Sequence, residues 1–286
     1  MRWMKKMQRK LVIVILLVII YSSCENTNNK PDENQDIWTF TVFSDIQQGY
    51  GVFSILSENI GDLEPTPLAS FCCGDIMLHA ANEVEWLSFE HVTEPIVRKM
   101  PLFIARGNHD GNDSVAEIML HEYGHIRSDR FYYTHSEKNA FFLVLDTYER
   151  NKEGSVVGEQ LDWLRHQLDS ASSDSSISCI FIFMHQPLYP QGRHKGQNLS
   201  NADDLHQLFL QHKKIRAVFS GHDHMFNKYV KDSLCYVTTG GGGGVLYSGY
   251  GGDYHHFIKV SVYKNTSRIR VQTTDIFNEV IDDFDL

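Results

Sequence analysis

Pro101-Leu102-Phe103-Ile104-Ala105, closely followed by Gly107-Asn108-His109-Asp110, is the stretch from which the fold can be read. The apolar run reads as a short buried strand, and the polar quartet sits just past its end. An amide, an imidazole and a carboxylate in succession are costly to desolvate unless something pairs them. Gly107 permits a sharp backbone turn that aims all three into one space. Asn, Asp and Gly are ordinary loop residues, so one such turn carries little weight. Four other apolar runs, however, end the same way.

Ile37 to Ser44 ends at Asp45-Ile46-Gln47, and Leu68 to Cys73 ends at Gly74-Asp75. Ile177 to Met184 ends at His185, and Ile215 to Phe219 leads into Gly221-His222-Asp223-His224. Between these runs lie segments of helical pattern: Tyr50 to Asn59, His79 to Val97 (interrupted by Pro95), Ser114 to Tyr123, Glu159 to Leu168 and Asp203 to His212. Phe131 to His135 and Ala140 to Asp146 read as a hairpin, with Asp146 in a structural role there. Leu234 to Thr238, Phe257 to Tyr263 and Ile269 to Thr273 read as later strands. The alternation predicts an α/β build, parallel early and antiparallel late, in one domain over residues 37–286. If the runs pair in one sheet, all five polar clusters reach the same edge, where ligands of open α/β sheets gather. Carboxylates, imidazoles and amides then converge, an arrangement satisfied by two cations. Mixed imidazole and oxygen donors suit Fe, Mn or Zn better than Mg or Ca.

The 286 residues are 42% hydrophobic and 22% charged, enough for a substantial core. Net charge is −10, but the first 23 residues hold five bases and no acid, so the remainder carries −15. So acidic a body offers no nucleic-acid surface. Residues 1–23 read as a signal peptide: a basic start, the apolar run Leu11 to Ile20, then Tyr21-Ser22-Ser23 before Cys24. That ending resembles a bacterial lipobox, making Cys24 the expected lipidation site and the cell envelope the expected location, facing the periplasm or exterior. Residues 25–36 are polar throughout and read as a tether. Cys72, Cys73, Cys179 and Cys235 lie in or beside apolar runs and read as small buried hydrophobes, not a disulfide framework.

Taken in order, Asp45, Gly74-Asp75, Gly107-Asn108-His109-Asp110, His185 and Gly221-His222-x-His224 resemble the calcineurin-like metallophosphoesterase superfamily, which includes purple acid phosphatases. The resemblance runs from about Ile37 to the end. It implies two packed mixed sheets flanked by helices, a two-metal centre, a phosphate-ester substrate and a metal-bound hydroxide as nucleophile. It further implies Asp75 as the bridge, Asp45 and His224 on the first metal, and Asn108, His185 and His222 on the second. His109, with Asp110 beside it, takes the catalytic position. Gln47 stands where many members carry His, its amide oxygen a weaker ligand. Leu78 stands where purple acid phosphatases carry Tyr, which disfavours a tyrosinate-ligated ferric centre. Arg193 and His194, in the loop after His185, are positioned to steer an anionic substrate.

Two other readings compete. The fold kept as a non-catalytic binding module is the first, and Gln47 sustains it. His121-Glu122-x-x-His125 matches a zinc-protease signature on a predicted helix, with no third ligand marked nearby. The run Gly240 to Gly244 lacks the ending of a phosphate loop and reads as a close-packed turn. His255 and His256 are candidates for the cleft or the plain surface, and His79 for the surface.

Overall fold

The computed structural model describes residues 37–123, 130–264 and 268–286. The expected signal peptide, Cys24 and the tether lie outside the described residues, as does His125. Among the described residues no helix is long and apolar enough to cross a membrane.

In β1 (Ile37–Phe43), Trp38, Phe40 and Val42 enter one core and Phe43 another, as the two-residue period of a strand dictates. β1 pairs in parallel with β2 (Ser70–Cys72), and β2 with β3 (Leu102–Ile104). On its other side β1 runs antiparallel to β10 (His256–Tyr263), followed by β11 (Ile269–Asp275) and β12 (Val280–Asp285). A second six-stranded sheet runs β4 (Tyr133–Glu137), β5 (Ala140–Val144), β6 (Cys179–Phe183), β7 (Ile215–Ser220), β9 (Leu234–Thr239) and β8 (Phe226–Lys231). The two mixed sheets pack face to face. α1 (Tyr50–Gly61), α2 (Glu83–Val97) and α3 (Ser114–Tyr123) cover the outer face of the first. α4 (Gly158–Ser173) and α5 (Ala202–Leu210) cover that of the second.

The five terminal clusters therefore arise from two sheets rather than one. β1, β2 and β3 deliver Asp45, Asp75 and Asn108, while β6 and β7 deliver His185 and His222. Strands buried on both faces read as continuous apolar runs whether they lie side by side or face to face, which is why their pattern could not separate these cases. Pro95 does not interrupt α2, which continues to Val97. Its missing N–H forfeits the bond to His91 O, a loss confined to the last turn of the helix. β8 and β12 escaped detection because they are edge strands, with Lys228 and Lys231 in one and Asp282, Asp283 and Asp285 in the other. Asp146 does more than close a hairpin: it forms an ion pair with Arg106, each residue 1% exposed. All four described cysteines are buried and free.

Aromatic packing joins the sheets. Phe71 of β2 stacks on Phe183 of β6 at 4.1 Å and 5°, and Phe40 meets Phe142, Phe181, Phe183 and Phe219. Removing a buried phenyl ring from such a layer costs about 3–5 kcal/mol. Phe71→Ala is expected to lower unfolding free energy by about that amount in a urea titration, and a loss below about 1 kcal/mol would refute this account of the interface.

Candidate metal centre

The chain turns sharply as it leaves each sheet. Asp45 (φ 61°), Gln47 (φ 47°), Asp75 (φ 53°) and His222 (φ 69°) all adopt left-handed backbone. Each such residue costs about 1–3 kcal/mol and persists only where its surroundings enforce it. Here backbone bonds do so: Asp45 N–H donates to Gly74 O (3.0 Å), Gln47 N–H to Asp75 O (3.1 Å), and Gly244 N–H to Asp45 O (2.8 Å). Gly107 is needed for room, not for φ. A Cβ there would lie 2.2 Å from Asp75 Oδ1, and one on Gly221 would lie 2.3 Å from Asp45 Oδ2.

Two groups of donors share Asp75. Ligand atoms of Asp45, Asp75 and His224, all buried, lie within 4.8 Å of one another. Gln47 joins them, its Nε2 3.3 Å from both Asp75 Oδ2 and His224 Nε2. Half a turn about the last torsion would present Oε1 instead, an exchange that amide geometry allows. Toward the other sheet, Asn108 Oδ1 is 2.9 Å from His185 Nε2 and 3.0 Å from His222 Nδ1. Asp75 Oδ1 is 3.4 Å from His185 Nε2. The far nitrogens are fixed by carbonyls: His185 Nδ1–H donates to Cys73 O (2.8 Å) and His224 Nδ1–H to Val245 O (2.7 Å). Both Nε2 atoms then point inward, the orientation a metal-ligating imidazole requires. Oxygen and imidazole donors at this spacing fit divalent transition metals.

Burial pushes the Asp75 carboxyl up to about 7, and the negative charge of Asp45 adds to this. Burial acts the same way on Asp45, but the hydrogen bond and charge of His224 outweigh it and hold that group at about 2. His224, which burial alone would lower, is lifted to about 9 by Asp45. Burial takes His222 down to about 3, helped by the charges of His185 and His194.

His109 donates its N–H to Asp75 Oδ1 (2.9 Å) and lines a cleft of about 440 Å³ with Gln47, His224, Arg193 and Tyr247. Asp110 is not in the cleft. It is fully buried and accepts N–H bonds from Asp75 (2.9 Å), Ile76 (2.8 Å) and Gly107 (2.8 Å), so it braces the bend carrying Asp75 instead of meeting substrate. Arg193 lies over the Tyr247 ring at 5.0 Å, and His194 stacks on His222 at 4.1 Å. His256 is a core histidine bonded to Tyr254 O and Thr239, whereas His255 donates to Gly241 O, and His79 pairs with Glu85 at the surface. The glycine run does pack tightly against the site, for a Cβ on Gly244 would lie 3.1 Å from the His224 ring.

Two residues at the site went unread in the sequence. Asp223, between the two histidines of its motif, accepts Gly192 N–H (2.8 Å) and both the N–H and Nδ1–H of His194 (3.0 and 2.9 Å), anchoring the Arg193 loop. Tyr247 stacks flat on His224, at 4.5 Å and 3°. Its flanking glycines were the available signal.

The Calcineurin-like phosphoesterase family model matches residues 39–226. The chain belongs to that family. Rat serine/threonine-protein phosphatase CPPED1 is 31% identical over 180 residues, covering 58% of this chain and 56% of the relative. This chain thus spans about half the length of the curated relatives it matches. Its fold is that of purple acid phosphatase PPD1 from yellow lupin (TM-score 0.74, 17% identity, 87% of this chain and 53% of that one). It is also that of GAP50, the anchor in the inner membrane complex of Plasmodium (TM-score 0.68, 17% identity, 87% and 88%).

The protonation pattern has a measurable outcome. With pKa values raised to about 7 and about 9, Asp75 and His224 hold protons at neutral pH that a cation must displace. Metal affinity of the metal-free protein should rise from pH 6 to pH 8 with proton release, read by titration calorimetry in buffers of differing ionisation enthalpy. Uptake insensitive to pH and buffer would contradict this.

Proposed function

We propose that this chain is a metal-dependent phosphoester hydrolase with a dinuclear centre, held at the cell envelope through lipidated Cys24. The observation that carries the catalytic part is Asp75, whose two oxygens face the two donor groups separately. Asp45, Gln47, Asp75 and His224 would hold one ion, and Asp75, Asn108, His185 and His222 the other. Iron, manganese or zinc fits these donors. When bound, metal ions there would supply Lewis acidity to a phosphoryl group and lower the pKa of a coordinated water.

The protein groups supply the rest. His109 is tied to Asp75 through its backbone, and its ring lines the cleft, where it can hold the proton needed by the departing oxygen. Arg193 brings positive charge to the lip of an otherwise acidic body. Asp110, Gly107 and Gly221 keep the carboxylates from moving. The envelope location rests on the lipobox-like residues before Cys24.

The binding-module reading draws on Gln47, and a fold found in both a phosphatase and an anchor cannot decide between them. The protease reading has less to stand on. No third ligand is marked in the sequence near His121-Glu122-x-x-His125.

Metal content and hydrolysis of an aryl phosphate monoester and diester decide the matter. Two metals per chain, with kcat lowered about 10²–10⁴-fold in His109→Ala at unchanged metal content, is the expected result. Metal bound without turnover of either ester would favour the binding module. Separately, the wild-type chain expressed in bacteria should incorporate labelled palmitate and Cys24→Ala should not. An unlabelled wild type would count against the lipid anchor.

A further inference from the structure

Behind the donor groups, Arg106 and Asp146 form the only non-histidine ion pair with both side chains buried among the described residues. Each stands two residues beyond the end of its strand, Arg106 after β3 in one sheet and Asp146 after β5 in the other. The contact is two-pronged: Arg106 Nε donates to Asp146 Oδ1 (3.2 Å) and Nη2 to Oδ2. The guanidinium lies over the Phe131 ring at 4.4 Å, and Nη1 is 3.5 Å from Glu117 Oε1.

Both ends of the pair lead to donors of the same group. Arg106 precedes Asn108 by two positions in a bend where Gly107 N–H is bonded to Asp110. Asp146 is clamped to α4, its N–H donating to Gln160 Oε1 (2.9 Å) and its carbonyl accepting from Gln160 Nε2 (2.9 Å). The next residue, Thr147, accepts Gln186 N–H on Oγ1 (3.2 Å), one position past His185. A chain of short contacts therefore runs from the Asn108 bend, through the ion pair, to the His185 bend.

We propose that Arg106 and Asp146 are positioning residues for the second metal position, setting the separation of Asn108 from His185 across the two sheets. Stability alone does not account for the pair. Buried ion pairs are commonly matched or exceeded in stability by apolar residues of similar volume, whereas their geometry is harder to replace. The first donor group meets the bend after Arg106 only through the shared Asp75. Asp45 is fixed by the glycine run and His224 by Val245, on the side away from the pair. The inference rests on the two-metal reading.

Its test is calorimetric titration of the full chain with Zn²⁺, in wild type and in the double variant R106M/D146L, with thermal melting recorded beside it. A single change would strand a buried charge, so the paired apolar replacement is the informative one. The expected result is a folded protein whose second zinc equivalent binds about 10–100-fold more weakly while the first is unchanged, the usual effect of disturbing groups behind metal ligands. R106K, which keeps the charge but loses the two-pronged contact, should show the same selective loss and serves if the double variant does not fold. Wild-type affinities for both equivalents in either folded variant, or equal weakening of both, would overturn the inference. A wild type that takes only one zinc removes the two-metal reading itself, and this inference with it.

Discussion

Asp75 is a carboxylate 1% exposed to solvent, with Asp45 beside it and Asp110 behind it, both fully buried. Like charges about 4 Å apart repel by about 4 kcal/mol at an effective dielectric of 20. The protein meets this load partly with protons, burial driving both Asp75 and Asp110 up to about 7. It meets it partly with His224, which shares the charge of Asp45. A divalent cation relieves the remainder better than either device, because it neutralises several carboxylate oxygens at once. The left-handed bends and the glycines without room for a Cβ serve this one concentration of negative charge.

Rigidity comes from the layers behind it. Strand ends can hold side chains to the tolerance that metal ligation demands only if the strands themselves do not slide. The Phe71–Phe183 stack and the rings around Phe40 lock one sheet to the other, and five helices close the outer faces. A crevice between two sheet edges also gathers polar side chains from five separate bends while leaving its mouth open. Val245 to Tyr250 and Arg193 form that mouth.

Much of this was legible along the chain. Apolar runs broken by Gly, Asp or His marked the strand ends, and the helices between them followed from their periodicity, α3 from its first residue. What could not be read locally depends on pairing through space. The split of the runs between two sheets leaves no trace in their pattern, since both faces are apolar in either case. Arg106 and Asp146 stand 40 positions apart, and no period connects them. Asp110 looked like a catalytic neighbour of His109 because adjacency in sequence is blind to direction: one side chain faces the cleft and the other the backbone of Asp75. Edge strands β8 and β12 were hidden by the charged residues that edge strands commonly carry.

The four buried thiols carry a separate consequence. Burial raises the pKa of Cys72, Cys73, Cys179 and Cys235, so little thiolate is present to attack a disulfide or to meet an oxidant. No cross-link holds the described domain together, and no oxidising partner is required to complete it. Among the described residues there is thus no structural disulfide for a reductant to break, whichever compartment holds the chain.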